Sequence, residues 1–140
     1  MMSLKIFLGQ LGRDRSGVAA LEFGLVASFF LMFVLGIMEV ARYVADQQDL
    51  YSAVNAAGRY AIVHGSSSSS PATTATLQTQ VGNNLSLLDS SSVTTTVTGA
   101  GGAPGTTVKI TSTYTWTPLV PLVNLPTANI TATSAATILN

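Results

Sequence analysis

From residue 18 to residue 38 the chain reads VAALEFGLVASFFLMFVLGIM, an apolar run interrupted only by Glu22 and Ser28. At the rise of an α-helix this stretch reaches about 30 Å, enough to cross a bilayer. The pattern then changes without a break. Val40, Tyr43, Val44, Gln47, Leu50, Tyr51, Val54, Ala57, Gly58 and Ala61 recur at steps of three and four, with Arg42, Asp46, Asp49, Ser52 and Arg59 mostly elsewhere. That periodicity predicts the same helix continuing as an amphipathic one. Its end is placed near His64-Gly65, where the glycine can take a left-handed cap and the serine run at 66–70 breaks the period.

The 66–76 stretch is rich in Ser and Thr and reads as a loop, with Ser70-Pro71 as the start of a second, short helix whose Leu77, Val81, Leu85 and Leu88 share a face. Three runs of period two follow. Val93, Thr95 and Val97 alternate with threonines; Val108, Ile110, Ser112, Tyr114 and Trp116 form one face of the second; Ile130, Ala132, Ser134, Ala136 and Ile138 form one face of the third. One apolar face per run predicts an antiparallel sheet covered on one side. The glycine-rich 99–105 stretch is a hairpin loop, and the 118–126 stretch, with its prolines, is a crossover buried against the sheet. The fold class is therefore α+β: a long N-terminal helix, membrane-spanning in its first half, packed on a small three-stranded antiparallel sheet, with a short second helix. The expected divisions are 1–17, a leader; 18–38, the membrane segment; 39–65, the amphipathic continuation; 66–76, a loop; and 77–140, a small head domain.

Composition sharpens this reading. Only 9% of the 140 residues are charged, and the mean hydropathy is +0.45, high for a soluble protein. The formal net charge is zero, so no basic field exists to draw in nucleic acid. Cysteine is absent, which removes disulfides, thiolate ligands and a lipid-modified cysteine. The apolar run exceeds a secretory h-region of roughly 7–15 residues, and no A-x-A-like site follows it. Lys5, Arg13 and Arg15 precede it against Asp14, while Glu39, Arg42, Asp46 and Asp49 follow, a bias that keeps the N-terminus cytoplasmic.

Candidate chemistry is sparse. His64 is the one histidine, without a second histidine, a cysteine or clustered acids to make a metal site or a triad, and reads as a cap or surface residue. Beyond Ser66 only Asp89 and Lys109 are charged, too few for acid–base work. The Asn-x-Ser/Thr matches at Asn84 and Asn129 are short and unspecific. The expectation is a protein that is no enzyme and holds no metal or cofactor. Glu39, Arg42 and Asp46 can pair at helical spacing and read as surface support. Ala20, Gly24 and Ser28, at i, i+4 and i+8, would let another helix approach closely, a pattern also ordinary in membrane helices.

The informative constellation is Arg13-Asp14-Arg15-Ser16-Gly17-Val18-Ala19-Ala20-Leu21-Glu22-Phe23: a basic stretch, a glycine, four apolar residues and a glutamate leading into a membrane-length helix. An ionised carboxylate there costs up to about 2.5–3.5 kcal/mol at a bilayer's centre, less near its surface, and calls for a partner. The order resembles a type IV prepilin cleavage signature; the plainer reading is an interfacial glutamate in an uncleaved anchor. The stretch from Gly12 to about Gly65 resembles the TadE-like family of minor pseudopilins of tight-adherence (Tad) pilus machines. Glu22-Phe23, Glu39-x-x-Arg42 and Ala-Ala-Gly-Arg at 56–59 carry the match; more loosely, so do Thr-Pro-Leu-Val-Pro-Leu at 117–122 and the run from Ile130. A family member of similar size, the TadF type, is the alternative within this resemblance. The resemblance implies cleavage between Gly17 and Val18 by a prepilin peptidase, a structural role in pilus assembly, adhesion or secretion, and other pilins, pseudopilins and assembly proteins as partners. It also implies an inner-membrane location with an exported head. Four residues on a helix place Val18 and Glu22 on one face, so the amine freed by cleavage, or a neighbour's, can pair with Glu22. The rival reading is an unprocessed, signal-anchored protein with a small adhesive or ligand-binding domain.

Overall fold

The computed structural model describes residues 15–120 and 125–139, with the side chains of 15 and 16 excepted. Helix α1 runs Arg15–Val63, α2 Thr74–Asn83, and strands β1, β2 and β3 span Val93–Thr98, Thr107–Trp116 and Ala128–Thr137. The chain divides into two compact units, Met1–Met38 and Glu39–Asn140. Most of the leader, 1–14, lies outside the described residues, as does 121–124 of the crossover.

In the first unit, α1 turns its apolar side chains outward, Leu21, Phe23, Phe29, Phe30 and Phe33 among them. The helix is long and apolar enough to cross a membrane, with a mean hydropathy of 2.3 over its most apolar window. Exposed phenylalanines would be costly in water and are favourable in lipid.

The second unit is a two-layer head. β1, β2 and β3 form one antiparallel sheet in sequence order, and Leu50, Val54, Ala57 and Ala61 of α1 join Leu77, Val81, Val108, Ile110 and Ile130 in its core. The alternation read from the sequence holds. The even positions of β2 and β3 face the core, and the threonine face meets solvent, with Oγ1 pairs bridging Thr111 to Thr133 at 3.2 Å and Thr113 to Thr131 at 3.4 Å. Buried Ser112 is satisfied by Thr95 Oγ1 at 2.8 Å.

Four details differ. α2 starts at Thr74, not at Ser70-Pro71, because Thr73 caps it by accepting the Thr76 amide at 3.1 Å; Leu85 and Leu88 reach the core from beyond its end. Gly65 takes no left-handed cap: the glycines with positive φ among the described residues are Gly99, Gly101 and Gly105, all in the β1–β2 connection. Their backbone is what lets that loop close. The apolar stripe of α1 is rotated, with Val40, Val44 and Tyr51 exposed while Asp46 and Asp49 turn inward. Leu119 of the crossover is 71% exposed rather than pressed on the sheet.

Candidate functional site

The residues singled out from the sequence fall at the start of α1. Gly17 and Val18 lie in its first turn, already helical, and Glu22 and Phe23 follow one turn later, exposed. Among the described residues, no hydrogen bond or ion pair reaches the Glu22 carboxylate. Ala20, Gly24 and Ser28 share one shallow groove with Gly17 and Leu21. Ser28 Oγ donates back to the Gly24 carbonyl at 2.7 Å, which hides its hydroxyl from an apolar surround. Nothing lies within 4 Å of where a Cβ on Gly17 or Gly24 would stand. The groove is thus open along its length.

A second set of residues, taken from the sequence as surface support, does something else. Glu39 is only 3% exposed. Its Oε1 accepts the amides of Leu119 at 2.8 Å and Val120 at 2.7 Å, and its Oε2 pairs with Arg42 at 3.2 Å. Arg42 also donates to the Thr117 carbonyl and lies 4.9 Å over the Trp116 ring, which meets the edge of Tyr43 at 5.4 Å. Glu39-x-x-Arg42 therefore fastens the strand-to-strand crossover to the helix where the apolar segment ends. The burial of Glu39 raises its pKa, yet the Val120 and Leu119 amides and Arg42 outweigh that and hold it below the usual carboxylate range.

One helical turn on, Asp46 is 7% exposed. Burial pushes its carboxyl up; Arg42, 3.9 Å away, opposes this, and Asp49 adds to it. Asp49 gathers the amides of Ser86, Leu87 and Leu88 at 2.9–3.1 Å and so fixes the turn after α2. The signal missed in the sequence is that Glu39, Asp46 and Ala53 stand seven apart, on the core side of the helix. His64 accords with a cap role: its Nδ1 meets the Tyr60 carbonyl at 2.9 Å and its ring stacks on Tyr60.

With this geometry in view, the comparisons with known proteins are specific for one part of the chain. Residues 17–59 match the family model described as TadE-like protein. The matched segment starts at Gly17 and takes in Glu22-Phe23, Glu39-x-x-Arg42 and the Ala-Ala-Gly-Arg at 56–59, so the resemblance drawn from those residues holds. No curated protein and no solved structure matches the chain. The likeness to TadE-like proteins covers residues 17–59, most of α1.

Proposed function

We propose that this TadE-like chain is a minor pseudopilin of a tight-adherence pilus or secretion machine, cut between Gly17 and Val18 by a prepilin peptidase and structural rather than catalytic. The observation that carries the reading is the lone Glu22 in the exposed, membrane-length apolar part of α1, five residues after the glycine at which the family match begins. Cleavage would free an α-amino group at Val18, one turn from Glu22 on the same face. That amine has a reference pKa of about 7.7–8.0 and is largely cationic near neutral pH, so it offsets the cost of a carboxylate in lipid. A neighbouring subunit's amine in the same place would set the register of assembly. Gly17 and Val18 are helical, and the first turn of a helix opens readily, which gives a peptidase the extended backbone it needs. The acids of the head serve the fold: Glu39 and Asp49 each hold backbone amides.

Intact-mass measurement on protein from membranes of its own host, paired with a Glu22→Gln variant, tests this. The expected mass lacks residues 1–17 in both forms. Pili or secretion should fail in the variant at equal protein level. A retained leader in the presence of the peptidase returns the chain to the unprocessed anchor with an exported adhesive domain. Unchanged assembly in the variant would remove the pairing.

A further inference from the structure

The apolar run of α1 ends at Met38 in the sequence, yet the surface of the helix does not turn polar there. From Glu39 to Gln47 the outward-facing residues are Val40, Ala41, Val44 and Ala45, with Val40 and Val44 57% and 46% exposed. The charged residues of the same two turns face inward. Glu39 and Asp46 are buried, and Arg42 pairs with Glu39 at 3.2 Å, donates to the Thr117 carbonyl and lies over the Trp116 ring. After Ser28, the first exposed polar side chain on α1 is Gln48, with Ser52, Asn55 and Arg59 following it. A helix in water shows the reverse arrangement, with charges outward and valines turned to the core.

The crossover adds to this surface. Leu119 is 71% exposed and is held in place, since its amide and that of Val120 donate to Glu39 Oε1 at 2.8 and 2.7 Å. Glu39 directly follows Met38. One step of about 3.8 Å between Cα atoms and one carboxylate side chain therefore separate the Leu119 amide from the last residue of the apolar run, a bound set by covalent connection alone. The connection from Thr117 to Thr127 carries no charged residue. A single exposed leucine is ordinary on a protein surface; this one is tied to the residue at which a membrane-length run stops.

We propose that the lipid boundary on the head's side lies at Gln48 rather than Met38, so that the headgroup layer surrounds Val40 and Val44 and receives Leu119 as a second contact that seats the head on the bilayer. The length agrees. From Val18 to Ala45 α1 rises about 42 Å, against about 40–45 Å for a bilayer with its headgroup layers, whereas the run to Met38 matches only the hydrocarbon core of about 30 Å. A lipid surface is the occupant because the exposed valines continue, along one unbroken helix, an apolar surface already long enough to cross a membrane. Immersion strands no charge either, since Glu39 and Arg42 satisfy each other and the crossover backbone. The seating rests on α1 crossing the membrane and is independent of any cut at Gly17.

The chain contains no cysteine, so a nitroxide can be attached at one chosen residue. Leu119→Cys, Val44→Cys, Phe30→Cys and Leu87→Cys each replace an exposed side chain. The full-length variants are labelled and reconstituted, at high lipid excess, in phosphatidylcholine–phosphatidylglycerol vesicles. Power saturation then compares access of molecular oxygen, which concentrates in lipid, with access of a water-soluble nickel chelate. Oxygen should dominate at Phe30, Val44 and Leu119, and nickel at Leu87. A lipid signature at Phe30 with an aqueous one at Val44 or Leu119 overturns the seating while leaving the membrane segment intact. An aqueous signature at Phe30 removes the span and the seating together. A label on Leu119 shielded from both probes overturns the seating as well, because protein would then cover that side chain.

Discussion

Glu39 makes the stability of the head depend on pH. Its burial disfavours the charged form, and the amides of Val120 and Leu119 with Arg42 favour it more, so its folded pKa lies below its unfolded one. A carboxylate of that kind contributes stability above the ordinary carboxylate range and loses it as pH falls through the folded pKa. Asp89, held down by the Ser91 amide, acts with the same sign. Asp46 acts against them: burial, opposed by Arg42 and abetted by Asp49, raises its pKa, so acidification relieves a strain there. Glu39→Gln keeps an oxygen for the two amides and deletes the charge. Its melting temperature should lie below that of the unmodified chain near neutral pH, with the gap closing as pH drops beneath the carboxylate range. A gap independent of pH would mean that Glu39 acts as a neutral acceptor and that the pairing with Arg42 contributes nothing.

At the scale of elements, α1 comes close to β3 at Gly58. Ala at Gly58 would set its Cβ 2.5 Å from Ser134 Oγ but 3.4 Å from Ser134 Cβ, so the hydroxyl is the whole obstacle. Overpacking of this kind costs about 1–3 kcal/mol, against about 0.8–1.0 kcal/mol gained by replacing a mid-helix glycine with alanine. Gly58→Ala alone should therefore leave the head no more stable. Combined with Ser134→Ala it should stabilise by up to about 1 kcal/mol. Denaturant melts of the two single variants and the double one read the coupling; strict additivity would show that the helix shifts away instead. The pair also shows what was legible beforehand. The strands, their inward faces and the long helix follow from periods of two and 3.6, which depend on local residues alone. The rotation of the helix does not, since Asp46 and Asp49 count as polar until the loops that present amides to Glu39 and Asp49 are in place. The same holds for the caps: Thr73, not Ser70, starts α2 because of the tertiary placement of the chain between His64 and Ala72, whose backbones bond at 2.8 Å.

Over the whole molecule, charge and composition combine into a topology. Of the basic residues flanking the apolar run, Lys5, Arg13 and Arg15 come before it, and Arg42 follows within the next turn. Acidic residues weigh little in this balance, so the count of Lys and Arg supports the proposed orientation, with the N-terminus in the cytoplasm. The head beyond Ser66 carries only Asp89 and Lys109, which presents little charge to oppose export. It also has no cysteine, so its folding is indifferent to whether the compartment oxidises thiols. That indifference makes a fusion experiment clean, because a silent reporter cannot be blamed on missing disulfides in the head. A reporter joined after Asn140 that works only outside the cytoplasm should be active, and a strictly cytoplasmic one at the same place should be dark. The opposite pair of results would put the head inside, leave Gly17 on the wrong side for a cytoplasmic cut, and take the pseudopilin reading with it. Glu22, on the cytoplasmic side of the apolar run in the expected orientation, would then face the exterior, where its pairing with a freed amine has no peptidase to create it.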